Sequence, residues 1–182
     1  MRQRTILTLP DGTALAVRPL ERTDRAVLDA AVARLSPTTR YLRFAAPKPR
    51  LTKADLDLLL DVDHHDHEAL IAFDLATGEG VAVARYVRLA GEPDVAELAI
   101  TVGDAWQRRG VGTALTGLLI ERARAEGLHR LRAVTLGENH GAQAMVLRTG
   151  FRPRGIGGLL AEFELDLTDQ TPSAAAARSS AA

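Results

Sequence analysis

The stretch Gln107-Arg108-Arg109-Gly110-Val111-Gly112-Thr113-Ala114 decides how this chain is read. It joins an apolar, strand-like run, Ala96-Glu97-Leu98-Ala99-Ile100-Thr101-Val102, to a long amphipathic segment that ends at Gly127. Gly110 and Gly112 leave the backbone unshielded where the first N–H groups of a helix lack internal partners. A helix start of that kind binds a phosphate or pyrophosphate. The spacing is not the nucleotide pattern G-x-x-x-x-G-K-[ST], and no lysine lies nearby to reach a γ-phosphate. A bare G-x-G is only a softened loop. The strand before it, the helix after it and the Gln-Arg-Arg lead point instead to an anion site.

Composition narrows the classes around this site. With 182 residues the chain supports one domain with a sizeable core, expected over residues 1–167, and an Ala/Ser-rich tail, 168–182, expected to be disordered. The 23 basic and 23 acidic residues balance, which argues against a nucleic-acid partner. Only Lys48 and Lys53 among the basic residues are lysines, a bias that carries no functional weight. Cysteine is absent, so disulfides, thiolate catalysis and Cys-ligated zinc are excluded. No apolar run approaches the roughly 18 residues of a membrane span, and the N-terminus has no signal-like apolar region. The expectation is a cytoplasmic protein without a membrane partner.

Pattern along the chain predicts the elements. Thr5–Leu9 and Ala14–Arg18 flank Pro10-Asp11-Gly12, a turn sequence, and form a hairpin. Thr23 is placed to cap a helix through about Leu35. Ser36-Pro37 restarts a short helix, and Thr52 caps another from Lys53 to about Val62. Glu68–Leu75, Val81–Leu89 and Val95–Val102 read as an antiparallel meander. A helix from about Gly110 to Glu126 follows, with Gly127 as its left-handed terminator. Arg130–Leu136 is a strand, Gly141–Arg148 a helix closed by Gly150, and Phe151–Arg154 with Leu160–Leu167 a last hairpin.

The order strand, Gln-Arg-Arg-Gly-x-Gly-x-Ala, helix, strand, Glu138-Asn139, helix, Gly150-Phe151 resembles the GNAT superfamily of acyl-CoA-dependent N-acetyltransferases, over roughly residues 5–167. The resemblance implies an α/β (α+β) fold, a mixed, mostly antiparallel sheet of about seven strands flanked by helices. It implies acetyl-CoA as co-substrate, no metal, and a protein or small-molecule amine as acceptor. The coenzyme A pyrophosphate would sit on Gln107, Arg108, Arg109, Gly110, Val111, Gly112 and Thr113, with backbone N–H donors from Arg109 to Thr113. The pantetheine arm would meet the backbone of Ile100, Thr101 and Val102. Asn139 stands where the family commonly contacts that arm, or else it is a helix N-cap, or both.

Glu97 is the candidate general base. It interrupts a strand otherwise made of Val95, Ala96, Leu98, Ala99 and Ile100. Burial there would raise its pKa toward the value a base requires. The alternative is a solvent-facing residue paired with an arginine such as Arg85. The family often uses a Glu at this position, directly or through water. Many members also carry a Tyr as acid for the leaving thiolate, but the matching position here is Val146. The two tyrosines, Tyr41 and Tyr86, and His67 are candidates for the substrate cleft. His64, His65 and His67 with Asp61, Asp63 and Asp66 invite a metal reading, yet their spacing suits a polar loop better than one rigid site.

A narrower resemblance concerns the acceptor. Leu35–Phe44, Asp61-Val62-Asp63 with Asp66-His67, and Val83–Arg88 look like the acetyltransferase domain of bacterial protein-lysine acetyltransferases. That family commonly lacks the acid Tyr, and some members carry an upstream cyclic-nucleotide-binding domain. Regulation of that kind is expected here only through a separate polypeptide. The leading expectation is acetylation of a protein lysine. A small-amine acetyltransferase and a non-catalytic acyl-CoA sensor are the alternatives. The oligomeric state is not readable.

Overall fold

The computed structural model describes residues 4–168, so the tail beyond Thr168 lies outside the described residues. Eight strands form one sheet, one more than expected: β1 (Thr5–Thr8), β2 (Ala14–Pro19), β3 (His67–Asp74), β4 (Gly80–Leu89), β5 (Glu92–Val102), β6 (Arg130–Leu136), β7 (Arg152–Gly157) and β8 (Leu160–Asp166). They lie in the order β1-β2-β3-β4-β5-β6-β8-β7. Tight turns make four of the neighbouring pairs, and both the hairpins and the meander are antiparallel as the turn chemistry predicts. The β5–β6 pair is parallel, because the chain crosses between these strands through a helix.

That crossover helix is α4 (Val111–Ala125). Val111, Leu115, Leu119 and Ala123 recur every four residues and are buried against the sheet, beside Thr116 and Ile120. Gly127, at φ 73°, ends it: Leu128 N–H bonds Ala123 C=O and Gly127 N–H bonds Arg124 C=O, which satisfies two orphan carbonyls. Gly150, at φ 97°, ends α5 (His140–Arg148) through the same pair of bonds from Phe151 and Gly150. α5 packs on α4 and β6. Helices α1 (Arg25–Ala33), α2 (Pro37–Phe44) and α3 (Lys53–Leu60) cover the opposite face, where Leu28, Val32, Leu56 and Leu60 close on Ala69 and Ile71. Among the described residues no helix is long and apolar enough to cross a membrane.

Ser36 and Thr52 cap α2 and α3 as their positions predict, each accepting the N–H three residues on. Thr23 does not cap α1. A 3-10 turn, Arg22–Asp24, precedes that helix, and the Asp24 carboxylate takes the corner, accepting the Glu21 N–H and a two-pronged bond from Arg18 at 2.6 and 2.7 Å. A carboxylate held by a guanidinium outcompetes a neutral hydroxyl for this role.

One break in the ladder positions the functional region. Val95–Leu98 pair with Arg130–Ala133, and there the pairing stops. β5 continues to Val102 along β4, and β6 continues to Leu136 along β8. The two strands part, and the edge of β5 over Ala99–Val102 faces no strand.

Asp24 is 5% exposed, and although burial raises its pKa, the bonds from Arg18 and Glu21 outweigh this and leave it below the usual range. A depressed carboxylate pKa stabilises the fold above the unfolded value of about 3.9 and loses that contribution as pH falls through the folded value. Asp24→Asn should therefore cost on the order of 2–3 kcal/mol in urea denaturation at pH 7, less than a fully buried pair because Arg18 keeps access to water. The difference should vanish in acid. A loss under about 0.5 kcal/mol at pH 7 would remove the corner from the account.

Candidate active site

The parted strands open onto the loop 103–110, which is fixed from three directions. The Asp104 carboxylate accepts the Ser36 N–H at 2.8 Å and the hydroxyls of Ser36 and Thr39, both at 2.7 Å, tying the start of α2 to the end of β5. The Gln107 amide donates to Val102 C=O at 3.1 Å and to Thr39 Oγ1 at 3.2 Å. Arg109 donates to Asp11 Oδ2 at 2.9 Å and to Thr13 Oγ1 at 2.8 Å, and lies 4.4 Å above the Trp106 ring. Its guanidinium thus holds the β1–β2 turn, and only its backbone remains for an anion. Hydrogen bonds from Thr13, then from Arg109, hold the Asp11 carboxyl down at about 2. Arg108 at φ 60° and Gly110 at φ 90° are both left-handed, which turns the loop so that α4 opens toward the gap.

A cleft of about 710 Å³ fills this gap. Ile100, Thr101 and Val102 line it, as do Gln107, Arg108, Gly110, Gly112, Thr113 and Asn139, so one cavity gathers most of the residues that the sequence singles out. Val111 and Arg109 are not in its wall; Val111, in the first turn of α4, is buried in the core. A Cβ on Gly112 would stand 3.5 Å from Met145 Cγ and 3.7 Å from Val102 Cγ2, so its absence keeps the passage between β5 and α5 open. Asn139 caps α5, accepting the Ala142 N–H at 3.1 Å, while it borders the cleft. Val146 is buried at the back. Thr135 lines the same cleft with a buried hydroxyl that has no partner among the described residues. Buried polar atoms are rarely left so, and a ligand in the cleft is a ready partner.

Glu97 departs from expectation. It is exposed, not buried, and among the described residues it makes no ion pair. Strand alternation places it with Ala99 and Thr101 on the face covered by α1–α3. Arg132, its register partner on β6, is held by Glu92 and Glu164, and Arg85 is engaged elsewhere. The Glu97 charge reaches Arg43, whose Nε donates to Thr101 Oγ1 at 3.0 Å.

The proposed cleft residues also need correction. Tyr86 is fully buried in the core on the α4 face, where alternate β4 side chains must point, and lines neither cavity. Tyr41 is exposed on the outer side of α2. His67 is half-buried and supports Arg85 from behind. His64 bonds Glu68 and His65 bonds Glu126, and no group of three or more ligating side chains converges among the described residues. Sequence reasoning missed Asp104 and Thr135, took Arg85 only as a partner for Glu97, and counted Arg43 only among scattered arginines that could rim an acidic acceptor's site. Only Arg85 carried a signal, a charge alternating with Ala84 and Tyr86 inside a strand.

A glycine-led helix start here faces an unpaired strand edge, and comparison with known proteins gives the class. Residues 35–151 match the Acetyltransferase (GNAT) family, and the chain belongs to it. It is an acyltransferase. The chain is 32% identical over 146 residues to Acetyltransferase PA5475 of Pseudomonas aeruginosa, covering 79% of this chain and 78% of that protein. It is 34% identical over 139 residues to Acetyltransferase Pat of Mycolicibacterium smegmatis, covering 75% of this chain but only 41% of that longer protein. The crystal structure of the GNAT domain of S. lividans PAT superposes with a TM-score of 0.84 at 30% identity, covering 90% of this chain and 96% of that one.

The left-handed Gly110 makes a prediction. Gly110→Ala forces a Cβ into φ 90° and brings it 3.5 Å from Pro10, a cost of about 1–2 kcal/mol that relaxation of the loop would relieve. Calorimetry should show coenzyme A binding weakened about tenfold, with the melting temperature shifted by only a few degrees. Unchanged affinity would mean that the loop does not hold the ligand.

Proposed function

We propose that this protein transfers the acetyl group of acetyl-CoA to a lysine side chain of a protein, with Glu97 as general base, in the cytoplasm. The observation that carries the coenzyme assignment is the unpaired edge of β5 over Ala99–Val102 beside a left-handed loop at the start of α4. A pantetheine arm is a chain of amides, and an open strand edge offers the N–H and C=O groups to pair with it. The pyrophosphate is assigned to the N–H groups of Arg109–Thr113, and the Arg108 side chain adds charge at the rim. Asn139 and the Thr135 hydroxyl are further partners along the cleft. The likeness of Leu35–Phe44 and Val83–Arg88 to bacterial protein-lysine acetyltransferases supports the acceptor class.

Bound there, acetyl-CoA supplies an acyl carbonyl activated as a thioester. The residues of this chain do the rest. A lysine amine with a pKa of about 10.4 costs roughly 4.6 kcal/mol to hold neutral at pH 7. Glu97 takes that proton, directly or through water. In the free enzyme its carboxylate is exposed to water, and a bound acceptor would cover it. Backbone N–H groups of β5 near Ala99 polarise the acyl carbonyl. As nitrogen bonds to carbon and the carbon–sulfur bond breaks, the thiolate leaves with no acid at Val146. Water or a hydroxyl in the cleft protonates it.

Glu97→Gln should lower kcat about 10²–10³-fold at pH 7 with the KM for acetyl-CoA within about twofold. Its deficit should shrink as pH rises toward the amine pKa, where the acceptor arrives neutral unaided. An unchanged rate at pH 7 would remove Glu97 from the mechanism. Labelled acetyl-CoA incubated with a host-cell lysate should place the label in protein. Label confined to small molecules would favour a small-amine acceptor, and binding without any turnover would leave only a sensor.

A further inference from the structure

A second cavity, of about 330 Å³, lies on the face of the sheet covered by α1–α3. Leu28, Val32, Leu35, Leu59 and Ile71 give it largely apolar walls. It adjoins the coenzyme cleft: Arg43, Ala99, Thr101 and Trp106 line both. Three arginines line it: Arg34, which is spent on the Gly80 carbonyl at one end, and Arg43 from α2 and Arg85 from β4, the latter only 6% exposed.

Neither Arg43 nor Arg85 has a carboxylate partner among the described residues. Arg85 Nη1 bonds the Leu59 carbonyl and His67 Nε2, both at 3.1 Å, and its other nitrogens have no acceptor among the described residues. Arg43 donates through Nε to Thr101 alone. His67 Nδ1 lies 2.7 Å from the Asp61 carbonyl, so it carries the hydrogen there and leaves Nε2 as a neutral acceptor for Arg85. Burial, then the Arg85 charge, lowers the pKa of that ring below the usual histidine value. Glu97, exposed on β5, offsets Arg43 only from a distance and makes no ion pair with it, and the acids that line the cavity are engaged elsewhere or turned to solvent. Asp104 is occupied by Ser36 and Thr39, and Glu79 is exposed at the end where Arg34 bonds Gly80 C=O.

Two like charges held in an apolar cavity by neutral acceptors oppose folding. Burial and then Arg43 pull the Arg85 guanidinium below the usual arginine range, so the arrangement is strained electrostatically. Such an arrangement becomes favourable when an anion enters, and a carboxylate matches the planar donors of arginine. Arg43 borders the passage to the β5 edge, where the acyl group would be presented.

We propose that this cavity is the acceptor's carboxylate subsite. An anionic group of the acceptor sits between Arg43 and Arg85 while its amine reaches the acyl group beside Ala99. The proposal rests on the acyl-transfer reading above and adds what it leaves open, the chemistry next to the acceptor amine. The carboxylate belongs either to an acidic side chain beside the target lysine or to a free amino acid. His67 is a positioning residue that aims Arg85.

The test has a binding arm and a turnover arm. Protein saturated with coenzyme A is melted with millimolar glutarate or with neutral glutaramide. Glutarate should raise the melting temperature by about 2 °C or more and glutaramide should not. Arg85→Gln should abolish the shift and Arg85→Lys should keep part of it. In turnover, blocked peptides with Glu beside Lys are compared with the Gln versions, and free amino acids with their amides. The carboxylate member of the active pair should be favoured at least tenfold in kcat/KM, mainly through KM, and Arg85→Gln should erase the preference. Peptide or amino acid then identifies the source. A glutarate shift without turnover on any acceptor would sink the acyl-transfer reading alone. No glutarate-specific shift, or turnover indifferent to the carboxylate, would overturn the subsite.

Discussion

The structure depends on the parting of β5 and β6 after Leu98 and Ala133. In a continuous sheet the groups at Ala99–Val102 would satisfy each other across the ladder and nothing would bind there. Because each strand stays paired on its outer side, β5 with β4 and β6 with β8, the gap opens without unravelling the sheet. The cost is a row of backbone groups and one buried hydroxyl, Thr135, left for a ligand to satisfy. An uncompensated polar edge inside a fold is a binding site in waiting.

Around this gap, the charged side chains serve as fasteners more than as ligands. Asp104 joins α2 to the end of β5, Gln107 joins the loop to both, and Arg109 joins it to the β1–β2 turn. These ties link residues nearly a hundred positions apart in the chain. They hold the loop so that left-handed Arg108 and Gly110 present backbone N–H groups to the cleft. They also set the position of α2, and with it Arg43, which stands between the coenzyme cleft and the cavity beneath α1. The same few hydrogen bonds therefore place both substrates.

Much of this was legible in the sequence, for local reasons. The helix stops at Gly127 and Gly150, the capped starts at Ser36 and Thr52, and the hairpins all follow from turn and capping chemistry that acts over a few residues. The glycine-led loop after an apolar strand was readable for the same reason. What failed was long-range. Glu97 looked buried because its neighbours are apolar, but its side chain lies on the sheet where the covering helices leave it exposed to water. Tyr86 looked available, yet the register of β4 turns it into the core. The roles of Asp104, Arg43 and Arg85 were not readable because their meaning lies in partners dozens of residues away, or in having no carboxylate partner.

The central claim is that the parted strand edge and the loop before α4 together hold the acyl donor. Amide hydrogen exchange with and without saturating acetyl-CoA tests it directly, since both elements offer backbone N–H groups that a bound ligand would cover. The account predicts slowed exchange confined to Ala99–Val102 and Arg109–Thr113, with α3 and the β7–β8 hairpin unchanged. Saturating ligand that leaves both segments unprotected, or protects a different part of the sheet, would contradict it.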